Sequence, residues 1–382
     1  MSLALETAAT PHAAAQNWRV SLAHEWRAES WPPGDGTVFQ RASWLTHLYA
    51  AIAAQEPDVT PLLVRLDTAD GVPALHLPLL LRPVGRRIAL EFADLGMTDF
   101  NMPLLGPAAP ADARAARDAW TALRRALPPH DFVRFTKMPV TLAGRPNPLA
   151  LLRGVRPGAV NGNLVVTTDD WNGFHFGLER TVRKELERSW RVFEKMPGTR
   201  LRAVTDPDDA RRVLDAMDGL QRARMTDIGQ PFTLDDPVTA DFYRRLMAGV
   251  GDHAILTLLE AENELVSALL GVRDGDSFVM IRLAHAAGGW RKVSPGRLLI
   301  HKTLEMLHGQ GLRRFDFSVG NYAYKRRFGP TRIPLVDYCE ARTFSGLAPV
   351  LRAKAGALLR RHPETHARVR RLLGKPPSRE EY

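Results

Sequence analysis

Residues 314–330, RFDFSVGNYAYKRRFGP, combine an alternating apolar strand, a turn, two tyrosines and three consecutive cations. Lys325 carries a compact positive charge that can stabilise an oxyanion or a phosphate. Tyr322 or Tyr324 can protonate a leaving group. The two arginines after Lys325 would point elsewhere in a helix, because neighbouring residues differ by about 100° around the axis. The segment predicts either an anion-stabilising site at Lys325 or a solvated basic turn.

A second candidate stretch begins the helix PGRLLIHKTLEMLHGQG, where residues 291–296 read R-x-x-S-x-G. This helix follows a predicted strand, so its N-terminus lies at the carboxyl edge of the sheet, where α/β proteins generally place ligands. Free N–H groups and the positive end of the helix dipole favour an anion there. The alternative is an ordinary helix start, with Ser294 as its cap and Pro295 as its first residue.

Two further candidate residues lie at strand ends. His285 precedes the R-x-x-S-x-G loop, and imidazole titrates in the range of a general base, although a strand-end histidine is also ordinary. Asp316 alternates with Phe315 and Phe317 and therefore faces away from them. For Asp316 a catalytic role and a structural role, as the partner of a cation or a backbone N–H, are both open.

Several classes of site are excluded by the composition. Cys339 is the single cysteine, which rules out an intrachain disulfide and a cysteine-based metal site and fits a reducing cytoplasm. The 12 histidines show no ligand spacing supported by a carboxylate, so no metal is expected. The first residues, MSLALETAATPHAAAQ, lack a secretory signal, and no apolar run is long enough to span a membrane. We therefore expect a cytoplasmic protein.

Helix and strand patterns place these residues in the second of two similar halves. The first half reads as a helix (40–55), extended stretches (59–96), a helix (111–127) and a strand. The second half reads as a long charged helix (175–196), the strand TRLRAVT, two more helices, three strands, the 295–311 helix, the strand RRFDFSV and a final strand RIPLVDYCEARTF. A stretch rich in Gly, Pro and Asn (144–163) is typical of a linker. Helices alternating with strands predict an α/β, mixed α+β, fold.

The second half, from about Phe176 to Phe328, resembles the GNAT-like acetyltransferase family encoded beside cellulose and exopolysaccharide biosynthesis genes, the CelD-like group. That family is related to the Fem-type aminoacyl transferases. The resemblance is carried by LERTVRKELER, QRARMTDIG, SPGRLL and above all FDFSVGNYAYKRRFG. The family pattern in the last motif is matched at Asp316, Gly320, Tyr324, Lys325, Phe328 and Gly329.

This resemblance implies two tandem GNAT-like domains, each with a mixed, mostly antiparallel central sheet flanked by helices. The expected boundaries are a disordered N-terminus (1–16), an N-terminal domain (17–150), a C-terminal acyltransferase domain (151–345) and a basic helical tail (346–382). It also implies acyl-CoA, such as acetyl-CoA, as the donor, and assigns its pyrophosphate to the helix start. The residues expected to bind it are Arg291, Ser294, Gly296 and Arg297.

The acceptor site follows from the same resemblance. Arg222 and Arg224 precede MTDIGQPF, the loop that lines the acceptor site in GNAT-like folds. Asp99 and Asn101, in GMTDFNMPLLG, occupy the equivalent rim of the first half. Solvated helix-end cations and a turn-forming role are the respective alternatives.

The predicted function is transfer of an acyl group from acyl-CoA to an amine of a sugar, an amino acid or a cell-envelope or exopolysaccharide precursor. Lys325, Tyr324, His285 and Asp316 are its predicted catalytic residues. One alternative is transfer from aminoacyl-tRNA, which a net charge of +10 would suit. Another is a non-catalytic GNAT-like module in polysaccharide assembly, because Ser294 and Pro295 alter the usual loop. No specific DNA binding is expected.

Much of the positive charge lies in the tail. Residues 346–382 contain nine Lys or Arg against three Glu, a net charge of +6. Leucines recur there at mostly helical spacing with arginines between them, until Pro363 interrupts the pattern. Such a helix can dock on the body of the protein or contact an anionic membrane. We expect docking, followed by a mobile end from about Lys375.

Overall fold

The computed structural model describes residues 17–320 and 322–360 together with the single positions 364 and 368. The strands are β1 (Trp18–Ala23), β2 (Thr60–Thr68), β3 (Pro73–Val84), β4 (Arg87–Phe92), β5 (Leu104–Leu105), β6 (Phe132–Pro139), β7 (Thr141–Leu142), β8 (Arg145–Pro146), β9 (Arg156–Pro157), β10 (Gly162–Val166), β11 (Arg200–Val204), β12 (Ala254–Ala261), β13 (Glu264–Asp274), β14 (Ser277–His285), β15 (Arg314–Asp316), β16 (Thr331–Ile333) and β17 (Leu335–Ala341). The α-helices are α1 (Ala42–Gln55), α2 (Ala113–Ala126), α3 (Trp171–Gly177), α4 (Arg180–Phe193), α5 (Pro207–Asp227), α6 (Pro237–Leu246), α7 (Pro295–Gly309), α8 (Ala323–Arg326) and α9 (Leu347–Arg360).

Within this part of the chain the strands form two large sheets. The first has the order β1-β2-β3-β4-β6-β17-β9, with β5 beside β3, and the second has the order β11-β12-β13-β14-β15-β10-β16. Each is antiparallel except for one parallel pair, β4 with β6 and β14 with β15. Helices flank both sheets. The predicted mixed α/β fold, with mostly antiparallel central sheets, is confirmed.

The parallel pair of the second sheet opens into a gap. β14 pairs with β15 only over Ser277–Val279, opposite Arg314–Asp316. Beyond this point β14 continues to His285, whereas β15 ends. The chain after β14 passes through a 3-10 turn into α7, so the start of this helix lies next to the gap. The first sheet repeats the arrangement, because β4 and β6 pair only over Ala89–Glu91.

The second half contributes strands to both sheets. β10 pairs with β15 in the second sheet, whereas β17, near the end of the second half, crosses to the first sheet and pairs with β6. The predicted linker therefore contains β9 and the start of β10, and its Asn147 and Asn163 are buried. The single strand expected at RIPLVDYCEARTF is wrong. Proline at position 334 lacks an N–H, and the chain changes from the second sheet to the first around it.

The prediction of a single helix over 175–196 is also wrong. The chain there forms parts of two helices, α3 and α4, which are separated at Leu178 and Glu179. Both residues have extended backbone angles, and the Leu178 side chain is buried in the core beneath α4 and α7. Burial of this leucine redirects the chain between the two helices.

A shared core joins the halves. Apolar side chains of α1 from the first half pack with those of α5 and α6 from the second. The rings of Trp44 and Phe242 lie 4.7 Å apart and both are fully buried. This core holds α1 of the first half against α5 and α6, and α5 packs on β14 of the second sheet. Residues from both halves can therefore contribute to one site.

The C-terminal helix docks as predicted. Val350 of α9 is buried against Ala89 and Phe132 of the first sheet. The expected disordered N-terminus lies outside the described residues, as does the expected mobile end from Lys375. In the described ranges no helix is long and apolar enough to cross a membrane.

Candidate active site

Lys325 is a buried cation rather than part of a solvated turn. Its residue is only 3% exposed, and its Nζ donates a hydrogen bond to the Val319 carbonyl at 2.6 Å. The same Nζ lies 5.1 Å from the centre of the Tyr322 ring. Arg327 instead reaches Glu185 on α4, with a nitrogen–oxygen distance of 2.7 Å. Lys325 and Arg327 therefore point to different surroundings, as helical spacing predicts.

Two carboxylates face this lysine. Asp316 ends β15 and is 8% exposed, whereas Asp99, from the first half, is half-buried. Ser318 links them, because its N–H donates to Asp316 Oδ1 at 2.6 Å and its hydroxyl donates to Asp99. Burial raises the pKa of Asp316 to about 7, and it also raises the pKa of Asp99. Burial lowers the pKa of Lys325 to about 8, while Asp99 and Asp316 act in the opposite direction.

A pair of asparagines fixes the turn that carries these groups. The Asn163 side chain donates to the carbonyls of Ser318 and Gly320, both at 2.8 Å. Ser318 and Gly320 both have positive φ, of 63° and 96°. A non-glycine residue in this region is uncommon and marks a site worth attention. The Asn161 carbonyl accepts from Gly320 N–H at 3.0 Å. Sequence reasoning missed Ser318 and both asparagines, although the NGN triplet at 161–163 was a usable signal.

The tyrosines stack beside Lys325. The rings of Tyr322 and Tyr324 are 5.9 Å apart. Burial raises the pKa of Tyr324 far above its usual value, and Tyr322 adds to the effect. Tyr324 therefore stays protonated and can donate a hydrogen bond, but its acidity is poorly matched to a thiolate with an ordinary pKa of about 8.5. The Lys325 ammonium is the better-matched acid.

His285 lies beside the start of α7 and contacts Arg224 of α5. An Arg224 N–H points to His285 Nε2 at 3.4 Å, and the His285 Nδ1 is 3.2 Å from the Ala286 carbonyl. Burial lowers the pKa of His285, so the ring is neutral near pH 7. A Cβ on Gly296 would lie 3.0 Å from this ring. The structure thus brings Arg224, His285 and the first turn of α7 together.

The start of α7 has open backbone donors. Ser294 has a left-handed conformation, with φ 46°, and makes no side-chain cap bond to the helix. The first hydrogen bond of the helix runs from Leu298 N–H to the Ser294 carbonyl at 3.1 Å. The N–H groups of Gly296 and Arg297 precede it, as expected for a helix N-terminus. These donors, with the exposed Arg291 just before them, can bind an anion.

The equivalent helix of the first sheet has no such opening. At the start of α2 the Asp112 carboxylate accepts from Arg114 N–H at 2.8 Å and from Ala115 N–H at 2.9 Å. A carboxylate already satisfies this helix end. Only the α7 helix of these two therefore offers a cradle to a phosphate group.

Arg297 is engaged elsewhere. Its guanidinium forms a bidentate ion pair with Glu185 and donates to the Ser294 hydroxyl at 2.8 Å. Arg297 thus ties α7 to α4 and fixes Ser294, so it shapes the cradle more than it offers free donors to a ligand.

The predicted acceptor residues divide into two groups. Arg224 joins His285, and Arg222 pairs with Asp235 at 2.6 Å and lies 4.6 Å from the Phe232 ring, in the loop after α5. Asp99 joins Lys325. Asn101 instead lines a cleft of about 630 Å³ between the first half and the start of α6, and it donates to Asp94 at 2.7 Å. Asn101 therefore does not meet the other site residues.

Arg282 is a further site residue that sequence reasoning missed. It lies on β14, and its guanidinium donates to Asp218 at 2.7 Å and to Gln221, both on α5. It also lies 4.7 Å from the ring of Tyr243 on α6. This buried cation holds α5 and α6 against β14 next to the gap. Its position inside a mostly apolar strand, SFVMIRLAH, was the available signal.

Among the described residues, no group of three or more His, Cys, Asp and Glu side chains could hold a metal ion. The functional groups of the candidate site are a buried ammonium, two carboxylates, a neutral imidazole and a helix N-terminus. Such groups can bind an anionic donor, stabilise an oxyanion and move protons.

Comparison with known proteins agrees with this geometry. Residues 180–326 match the family of acetyltransferase (GNAT) domains. A comparison with functionally curated proteins finds no match. The chain is similar in structure to FemX, with 11% sequence identity and a TM-score of 0.55 over 81% of this chain and 94% of that one.

Two further structural similarities are weaker. The C-terminal domain (DUF2156) of a putative lysylphosphatidylglycerol synthetase from Agrobacterium fabrum gives 12% identity and a TM-score of 0.47, over 81% of this chain and 94% of that one. A tandem GNAT protein from the clavulanic acid biosynthesis pathway gives 13% identity and a TM-score of 0.41, over 82% and 91%.

The matched GNAT segment runs from α4 to α8 and contains both the start of α7 and Lys325. The predicted GNAT-like domain in the second half is confirmed, and the fold is shared with FemX. The narrower CelD-like type stays a prediction.

Proposed function

We propose that this protein is an N-acyltransferase that moves an acyl group from acyl-CoA to an amine of a sugar, an amino acid or a cell-envelope or exopolysaccharide precursor. One observation carries the proposal. The open helix start at Ser294–Arg297 lies beside His285, and His285 contacts Arg224. Arg224 in turn acts on the Tyr324 hydroxyl, next to the buried Lys325 and its two carboxylates. The GNAT domain match over residues 180–326 supports it.

The donor binds at the gap between β14 and β15. The N–H groups of Gly296 and Arg297 hold the pyrophosphate, and Arg291 adds a positive charge. The first sheet does not duplicate this site because Asp112 fills its helix start. We therefore propose one CoA site for each chain.

The chemistry is transfer of an acyl carbon from sulfur to nitrogen. The acceptor amine attacks the thioester carbonyl, and the negative charge that develops on oxygen is stabilised by the Lys325 ammonium. The carbon–sulfur bond then breaks, and the thiolate takes a proton from Lys325, whose pKa of about 8 suits this role. Neutral His285 takes the proton that the amine loses. Asp99 and Asp316 keep Lys325 charged.

The acceptor approaches from the loop after α5 and from the first half. Arg222 and Arg224 border this side. The cleft at Asn101 also contains Lys137, which lies near Asp99 and partly offsets the rise in the pKa of Asp99 that burial causes. An acceptor that extends into this cleft would contact residues of both halves.

The test measures free thiol released from acetyl-CoA by the full-length protein with aminosugars, amino acids and nucleotide-linked aminosugars. We expect amine-dependent release. Lys325→Met should reduce turnover on the order of a hundredfold or more while acetyl-CoA still binds, because the cation acts on the reacting group. Arg326→Met, the same change one residue on, should leave turnover unchanged. Equal turnover in wild type and Lys325→Met would refute the assigned role.

Transfer from aminoacyl-tRNA is the second candidate, since the fold is shared with FemX over most of both chains. The same protein is then incubated with aminoacyl-tRNA charged with a radiolabelled amino acid and with the same acceptors. Label transfer without any thiol release from acetyl-CoA would favour this candidate. Absence of both activities, with a nucleotide sugar still bound, would favour a non-catalytic binding module.

A further inference from the structure

A groove beside the C-terminal helix combines leucines with cations. Its volume is about 660 Å³, and it lies between α9 and the segment around β9. Leu351 and Leu358 line it together with Arg156, Lys354 and Arg360. None of the described residues that line it is acidic. The groove therefore has an apolar floor and a positive rim.

The leucines form an exposed stripe on a helix that is already anchored. Val350 fixes α9 to the first sheet. Leu347, Leu351 and Leu358 fall within about 40° of one another around the helix axis, at 100° per residue. Leu351 and Leu358 are 59% and 58% exposed, and Phe344, just before the helix, is 94% exposed. Large exposed apolar side chains grouped in this way mark an interaction surface.

The positive charge around the groove indicates which kind of partner binds there. Residues 361–382 contain six Lys or Arg against three Glu, so the remainder of the tail has the same sign as the groove. A second copy related by a two-fold axis would place the same cations opposite each other. An anionic surface is the complementary partner.

We propose that the face formed by Phe344, the leucine stripe of α9 and the rim cations binds the surface of a bilayer that contains anionic phospholipids. The leucines enter the interfacial region, and Arg156, Lys354 and Arg360 meet lipid phosphates. This inference is independent of the acyl transfer proposed above, because α9 packs on the first sheet and contributes nothing to the site at α7.

The test is co-sedimentation of the full-length protein with phosphatidylcholine vesicles that contain or lack phosphatidylglycerol. We expect binding to the anionic vesicles that weakens with added salt. Leu351→Gln/Leu358→Gln should lower partitioning on the order of tenfold. Lys354→Gln/Arg360→Gln should lower it roughly 30-fold, because each cation near an anionic surface contributes severalfold.

Matched control variants distinguish binding through this face from nonspecific adsorption to the vesicles. Val166→Gln removes a similarly exposed apolar side chain from β10, and Arg191→Gln/Lys195→Gln removes two exposed cations, one in α4 and one just after it. Both controls should bind vesicles like the wild type. Three results would overturn the proposal: no binding to anionic vesicles, equal loss in the controls, or a concentration-dependent dimer that the groove variants abolish without affecting vesicle binding. A lower melting temperature of the leucine variant would instead show that the groove is filled by this chain's own tail.

Discussion

At Lys325, burial and charge act in opposite directions. Burial lowers the pKa of this lysine to about 8, and the carboxylates of Asp99 and Asp316 resist the change. The ammonium is therefore largely present at neutral pH but is lost within the working range of an assay. A cation that can give up its proton is suited to protonate a leaving thiolate.

This residue should set the alkaline limb of the pH profile. We expect kcat to fall as the pH rises through about 8, because the charged form of Lys325 disappears there. Lys325→Arg keeps its charge at these pH values, so its kcat, although lower because the geometry differs, should show no such fall. Steady-state kinetics between about pH 6 and about pH 10 measure kcat on both sides of the pKa of Lys325. Identical alkaline limbs in both proteins would contradict the assignment.

Individual residues were predictable where a local pattern carries them. Lys325, Tyr324 and Asp316 follow from one contiguous motif. The contact between Ser318 and Asp99 does not, because the two residues are 219 positions apart and no periodicity reports such a pairing. The burial of Lys325 was equally out of reach, since its side chain turns back to the Val319 carbonyl and the Tyr322 ring instead of extending into solvent.

At the scale of elements, the helix starts distinguish the two halves as candidate donor sites. α2 and α7 follow β4 and β14, the first strands of the two parallel pairs. α2 is closed by the Asp112 carboxylate, whereas α7 begins at Ser294 and Pro295 without a side-chain cap. One residue type at one position thus decides whether a helix N-terminus is available to a phosphate.

The sequence predicted most elements because their signals are local. α5 begins with an Asp cap and a proline, and α7 begins with Ser-Pro-Gly. The length of β15 was overestimated: the apolar alternation of RRFDFSV extends beyond Asp316, but the backbone turns at Ser318 to meet Asp99. The apolar residues of this segment alternate because they are buried on both sides of the turn, and not because the strand continues.

For the whole molecule, the crossing of β17 and the shared core make one site from two halves. β17 of the second half lies in the first sheet, and Asp99 of the first half acts on the lysine of the second. The segment rich in Gly, Pro and Asn was interpreted as a linker because such composition is typical of loops. Its asparagines instead support the turn at Ser318.

A substitution in the first half should therefore change a titration in the second. Asp99→Asn removes a negative charge that raises the pKa of Lys325, so the alkaline limb of kcat should move to lower pH. Asp58→Asn, an exposed acid of the same half, serves as the control and should not move it. The pH dependence of thiol release gives the readout. An unchanged limb in Asp99→Asn would mean that the two halves are not electrically coupled at this lysine.

The central claim, that the start of α7 holds the anionic end of an acyl-CoA, is tested most directly by calorimetric titration of acetyl-CoA into two variants of Ser294. Ser294→Asp places a carboxylate at the helix N-terminus, as Asp112 does in α2, and should preserve the fold while competing with the pyrophosphate. Ser294→Asn has the same shape without the charge. We expect micromolar binding to the wild type, affinity within about threefold for Ser294→Asn, and affinity weaker by about tenfold or more for Ser294→Asp. Equal affinity of the aspartate and asparagine variants, or no binding to the wild type, would contradict the account.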